Sequence, residues 1–325
     1  MTLPGILSLW NQSKEFEEIV KIIEEKSIHK LQLSGLKDST RSFFMAALGS
    51  EIEKSYLIIV DSQENALKIY QDLDTFLYKS ENKEENLFLL PSFEVLPYED
   101  INSDPQIIKQ RINILKYLST NDQNKKRIIL ITEVKALLPK LVSPQNFRNI
   151  SWELKIGDYL KKEDFLKILL DQNYKTVEIV EKRGEFSNRG GIIDFFPVTS
   201  ENPLRLELFG DQIESIRYFN SNTQRSILKL NNYTLLPSRE LIADGSSNYN
   251  YSTIFDYLPS DLIVLLNEPE VIREKAEKFQ EEVEDIYQKI EKNKRELNFL
   301  PSSYFITWPE VFNHLKSKRM INFTY

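Results

Sequence analysis

The five consecutive residues Tyr56-Leu57-Ile58-Ile59-Val60 leave no polar side for water. A strand alternates its side chains between two faces, so this run must be covered on both, as in a parallel sheet layered with helices. Leu87-Phe88-Leu89-Leu90 and Ile128-Ile129-Leu130-Ile131 repeat the pattern. Between the first two runs, Ala66, Ile69, Tyr70, Leu73, Phe76 and Leu77 recur at helical spacing. Asp61 and Glu64 have the spacing of a capping box for that helix, and Thr132 is placed to cap a helix beginning Glu133-Val134-Lys135. Strand, helix, strand, helix predicts a parallel α/β sheet over residues 1–148.

The pattern changes near residue 149. A helix is expected over Lys161–Asp171, with Phe165, Leu166, Leu169 and Leu170 on its apolar side. Strands then follow closely, at about Thr176–Glu181, Gly191–Phe196, Leu204–Phe209 and Gln212–Phe219. The links Ser200-Glu201-Asn202-Pro203 and Gly210-Asp211 are turn-like, and links this short join antiparallel strands. Residues 149–237 therefore read as a small α+β domain with one sheet face exposed. In residues 238–325, Ala243 to Asn248 reads as a surface loop and Leu262-Ile263-Val264-Leu265-Leu266 as another buried strand. Pro269 suits the first turn of the next helix. The stripe Ile272, Ala276, Phe279, Val283, Ile286, Ile290 fits a long amphipathic helix, which either packs on the first domain or offers a coiled-coil face.

Several function classes are excluded by composition. The 325 residues contain no cysteine, so disulfides, thiolate catalysis and Cys-ligated zinc are absent. The two histidines, His29 and His314, lack metal-ligand spacing, and neither a metal nor a cofactor is expected. A net charge of -7 gives no domain-wide footprint for nucleic acid. No apolar run approaches the roughly 20 residues of a membrane span, and no secretory leader is visible, so a cytoplasmic location without membrane contact is expected.

Between Leu31-Gln32-Leu33, a strand candidate, and Phe43–Leu48, a helix start, lies Gly35-Leu36-Lys37-Asp38-Ser39-Thr40-Arg41-Ser42. Against the phosphate-loop pattern G-x-x-x-x-G-K-S/T, Gly35 and Ser42 fit. Thr40 replaces the second glycine, whose dihedral freedom lets backbone N–H groups turn toward phosphate. Arg41 brings a larger, planar head than the lysine it replaces. Asp38 adds negative charge, and no D-E pair follows a strand to hold magnesium. The segment is either a chance likeness or a decayed P-loop, and no catalytic residue is assigned. Tight magnesium-dependent ATP binding would be the sign of the alternative, a nucleotide-dependent helicase fragment; salt-dependent affinity for duplex DNA would mark a direct DNA-binding module.

Arg183-Gly184-Glu185-Phe186-Ser187-Asn188-Arg189-Gly190-Gly191-Ile192-Ile193-Asp194-Phe195-Phe196-Pro197 resembles a signature shared by the excision-repair protein UvrB and the transcription-repair-coupling factors. Pro203 to Arg217 continues the likeness, and Asn220 to Ser226, with Thr223-Gln224-Arg225-Ser226, resembles the family's D-x-x-S/T-Q-R-S. Glu94-Val95-Leu96-Pro97-Tyr98-Glu99, Ser103 and Arg111 favour the coupling factors, whose UvrB-like module lacks an intact Walker loop. The resemblance implies a degenerate P-loop/RecA-like α/β domain in two sequence segments, 1–148 and 238–325, with a UvrA-binding α+β domain, 149–237, inserted. It implies UvrA as partner in transcription-coupled nucleotide excision repair. RNA polymerase and DNA would be reached only through parts of a longer parent, an ATP-dependent translocase, whose C-terminal region would partly mask the UvrA surface. On this reading the chain is an excised piece or a truncated reading frame of that parent, and not itself an enzyme.

The strand Leu204–Phe209 shows why docking is expected. Leu204, Leu206 and Leu208 point one way; Arg205, Glu207 and Phe209 point the other, toward solvent. Arginine beside an exposed aromatic is a usual interface anchor, the alternative being a solvated charged face with one stray ring. By resemblance, Arg189, Arg205 and Phe209 belong to the UvrA-binding surface, with Arg183 and Glu207 as nearby candidates. Gly190 and Gly191 read as backbone features of a bend. Asp194 and Arg217 form a candidate structural ion pair.

Overall fold

A computed structural model describes residues 7, 10–25, 30–77, 86–93, 104–120, 127–238, 240, 251–292 and 300–325. His29, the segment Glu94 to Glu99, Ser103 and the loop Ala243 to Asn248 lie outside them. In chain order the strands are β1 (Lys30–Ser34), β2 (Tyr56–Val60), β3 (Asn86–Leu90), β4 (Ile128–Glu133), β5 (Leu141–Val142), β6 (Trp152–Lys155), β7 (Lys175–Thr176), β8 (Glu185–Arg189), β9 (Ile192–Phe195), β10 (Leu204–Phe209), β11 (Gln212–Phe219), β12 (Ser226–Leu230), β13 (Asn232–Leu235), β14 (Tyr251–Ser252), β15 (Ile263–Asn267) and β16 (Arg319–Thr324). The described residues form two compact units, one from 1–101, 121–140 and 253–325, the other from 102–120 and 141–252.

The first unit holds a six-stranded sheet in the order β1-β16-β15-β2-β4-β3, parallel throughout. Every position of β2 and β4 is buried, as their lack of a polar side requires. β15 and β16 come from the far end of the chain and sit between β1 and β2. β16 was not anticipated, because Asn322 interrupts its short apolar run Met320-Ile321-Asn322-Phe323.

Helix Gln63–Leu77 buries Ala66, Ile69, Leu73 and Leu77, the stripe its periodicity predicts. Its start differs from the expected capping box. Ser62 Oγ accepts from Asn65 N at 3.3 Å, while Asp61 Oδ1 accepts from the Asn65 side chain at 2.7 Å. Thr132 is not a cap either. It lies inside β4, and its buried hydroxyl donates to Leu90 O at 2.9 Å, tying β4 to the end of β3. A 3-10 turn, Val134–Leu137, stands where an α-helix was expected. Helix Pro269–Lys292 begins on its proline. Ile272, Ala276, Phe279 and Val283 are buried within the first unit, whereas Ile286 and Ile290 are only half-buried. The first two-thirds of the stripe is therefore core, each large side chain contributing about 1.5–3 kcal/mol on burial.

The second unit is built on a sheet ordered β12-β11-β10-β9-β8-β7, antiparallel except between β7 and β8. Helix Lys162–Asp171 covers one face with Phe165 and Leu169, and Phe165 meets Phe195 edge-on at 5.5 Å. The strand expected over Thr176–Glu181 shrinks to Lys175–Thr176, and β8 takes its place in the sheet. The sequence Glu185-Phe186-Ser187-Asn188-Arg189 hides this, since only Phe186 is apolar and the pairing runs through backbone. Val180, freed from the strand, packs with Phe196 and Phe219 in a small second cluster. Helix Pro105–Ser119 also belongs to this unit. Its Arg111, 1% exposed, grips both carboxylate oxygens of Glu240 at 2.6 and 2.8 Å.

Candidate protein-docking face

The alternation expected along β10 holds. Leu204, Leu206 and Leu208 are buried under helix Lys162–Asp171 and its neighbours, Arg205 and Glu207 are half-buried on the other face, and Phe209 is 77% exposed. Antiparallel pairing sets Arg205 between Asp194 of β9 and Arg217 of β11. This register decides the electrostatics. Asp194 Oδ1 accepts from Arg205 Nε at 2.7 Å, and Oδ2 accepts from Arg205 Nη2 at 2.8 Å and from Arg189 Nη2 at 2.5 Å. One carboxylate, 1% exposed, thus orients two guanidiniums. The Asp194 hydrogen bonds also raise the Arg205 pKa above its ordinary value, so its charge is fixed.

The ion pair expected between Asp194 and Arg217 does not form. Arg205 lies on the strand between them and takes the carboxylate, since two strand spacings separate the other two residues by roughly 10 Å. Arg217 instead pairs with Glu207, which also accepts from Ser215 Oγ at 2.7 Å. Arg205 is on the outer face but not free: its side chain is 16% exposed and stacks 4.7 Å from the Phe219 ring centroid. The residues that project are Arg189, whose side chain is 51% exposed, and Phe209. Arg183 donates to Ser200 O at 2.9 Å and to Glu201 at 3.1 Å, and lies over Phe196, so it clamps a loop beside the small second cluster. Asp194 is the organiser that strand alternation alone passed over. An acid set between Ile193 and Phe195 was the available signal.

The turn between β8 and β9 explains the paired glycines. Gly190 has φ 65°, and a Cβ on Gly191 would stand 2.7 Å from Leu208 O. That close approach lets Leu208 N donate to Gly191 O at 2.8 Å.

In the first unit, Gly35 turns with φ 87°, and helix Ser39–Glu51 begins with exposed Thr40 and buried Arg41 and Ser42. Arg41 donates to Leu36 O at 2.6 Å, Asn267 Oδ1 at 2.5 Å and Glu268 Oε1 at 2.6 Å, with its guanidinium 4.7 Å from the Tyr325 ring centroid. Ligands of open α/β sheets bind beyond the carboxyl ends of the strands. Here that end of β1 and β15 is bridged by the chain's own arginine.

A family model described as the UvrB interaction domain matches residues 152–241. The transcription-repair-coupling factor of Bacillus subtilis (strain 168) is 31% identical over 240 residues, 74% of this chain and 20% of that protein. That of Staphylococcus aureus (strain bovine RF122) is 27% identical over 321 residues, 98% of this chain and 24% of the relative, and that of Haemophilus influenzae is 34% identical over 165 residues, 51% of this chain and 14% of the relative. The chain thus spans about a quarter or less of the length of the curated relatives it matches. With up to 98% of the chain aligned and the candidate docking face inside the matched domain, the chain belongs to the transcription-repair-coupling factor family, as its UvrB-homology module.

Proposed function

We propose that this chain is the adaptor module of a transcription-repair-coupling factor: it binds UvrA and recruits it to stalled RNA polymerase in transcription-coupled nucleotide excision repair, and it turns over no nucleotide itself. The parent would be an ATP-dependent DNA translocase, and contacts with RNA polymerase and DNA would come from its other parts. On this reading residues 1–148 and 238–325 are two halves of a P-loop/RecA-like domain that has lost its nucleotide site, and residues 149–237 are the UvrA-binding insert. The observation that carries the reading is Phe209, 77% exposed at the end of a strand whose neighbouring arginines are held by a buried carboxylate. An exposed aromatic beside pre-oriented arginines is what a binding hot spot requires. The buried, fully engaged Arg41 supports the loss of nucleotide binding.

The test is calorimetric titration of UvrA with the 325-residue chain and its Phe209→Ala variant. Because the ring makes little of the core, the variant should keep its unfolding midpoint and lose about 1–2 kcal/mol of binding free energy. Unchanged affinity in a folded Phe209→Ala variant would remove this face from the interface.

A further inference from the structure

We infer that Tyr159 is a second aromatic anchor on the same face, and that the partner meets it with an apolar cleft. The inference rests on the docking reading above and deepens it. Tyr159 is 82% exposed, more than any other large hydrophobic side chain among the described residues. Single exposed rings are ordinary on protein surfaces, so exposure alone says little. Position says more. The segment from Gly157 to Leu160 runs beside the start of β11: Gly157 N donates to Ile213 O at 2.8 Å, Ile213 N to Asp158 O at 3.0 Å, and Leu160 N to Asp211 O at 2.6 Å. Tyr159 is thereby bridged to Gln212, and Gln212 is also the register partner of Phe209. Directly paired residues of an antiparallel ladder share a face. Phe209, Gln212 and Tyr159 therefore form one row, with the backbones of the two aromatic residues about 10 Å apart across two strand spacings. The next residue, Leu160, points into the core, as alternation demands.

Between the rings, Gln212 donates its side-chain amide to Gly157 O at 3.0 Å, which ties it down to the sheet. The row is thus two projecting aromatics with a low polar saddle between them.

Calorimetry with purified UvrA decides the matter, using the whole 325-residue chain throughout. Tyr159→Ala should raise Kd about tenfold, and Tyr159→Phe should stay near the parent value. Tyr159→Lys, which puts a charge into an apolar cleft, should weaken binding at least as much as Tyr159→Ala. Thermal melts of all three variants confirm that each is folded, and the Lys variant keeps the comparison valid if Ala is not. Parental affinity in a folded Tyr159→Ala variant, with Phe209→Ala impaired, overturns the role of Tyr159 and leaves the docking face standing. Parental affinity in a folded Phe209→Ala variant overturns the face and, since Tyr159 is placed on it, this inference with it.

Discussion

At the scale of single residues, the proposed docking face separates side chains that project from those that hold them in place. Phe209 touches little of its own chain, so removing it should change affinity alone. Arg205 does two things. It satisfies Asp194 through two hydrogen bonds and stacks on Phe219. Removing it leaves a buried carboxylate with Arg189 as its remaining ion-pair partner on this face, and breaking a buried pair from one side is expensive. Arg205→Ala should therefore lower unfolding free energy by about 2 kcal/mol in urea titrations as well as weaken UvrA binding. If its unfolding curve coincides with that of Phe209→Ala, Asp194 is not the organiser described above. Strand alternation in the sequence reached the correct face for Arg205, Glu207 and Phe209. It could not tell a projecting arginine from an engaged one, because the engaging acid comes from the adjacent strand.

At the scale of elements, local signals were legible in part. Proline started the helix Pro269–Lys292 where expected by its missing N–H. Helix Trp308–Leu315 carries a complete capping box: Glu310 Oε2 accepts from Thr307 N at 2.6 Å and from Thr307 Oγ1 at 2.7 Å. The backbone bond first, then the hydroxyl bond, hold the Glu310 carboxyl below its ordinary 4.5. A depressed carboxyl pKa means stabilisation that is fully present above pH 4.5 and lost as pH falls through the depressed folded value. Glu310→Ala should thus cost up to about 1 kcal/mol at pH 7, and the difference from the parent chain should shrink in chemical unfolding near pH 3. A gap that persists at low pH would mean that packing, not the charge, sets the cost. Capping failed as a guide at Asp61 and Thr132. At the first, Ser62 offers its oxygen one residue nearer the helix; at the second, a neighbouring strand carbonyl captures the hydroxyl.

At the scale of the molecule, residues far apart in sequence complete each compact unit. Arg111 and Glu240 illustrate it in the second unit, as a bidentate pair with 1% and 4% exposure. Neither would be singled out as structural from its immediate neighbours. Arg111→Ala strands Glu240 in the interior and should destabilise the chain by about 3–5 kcal/mol in urea unfolding. A loss under 1 kcal/mol would show that Glu240 finds water or another cation.

The sequence alone determined the class of the fold, a parallel sheet and a separate antiparallel one, and the outward side of β10, because hydrophobic period and turn residues act over a few neighbours. The tertiary structure decided which strands became neighbours: β16 between β1 and β15, β8 in place of the expected 176–181 strand, and Asp194 with Arg189 and Arg205. The physical reason is that backbone pairing and ion pairing join residues from distant parts of the chain, and nothing within one strand records which partner the register will place beside it.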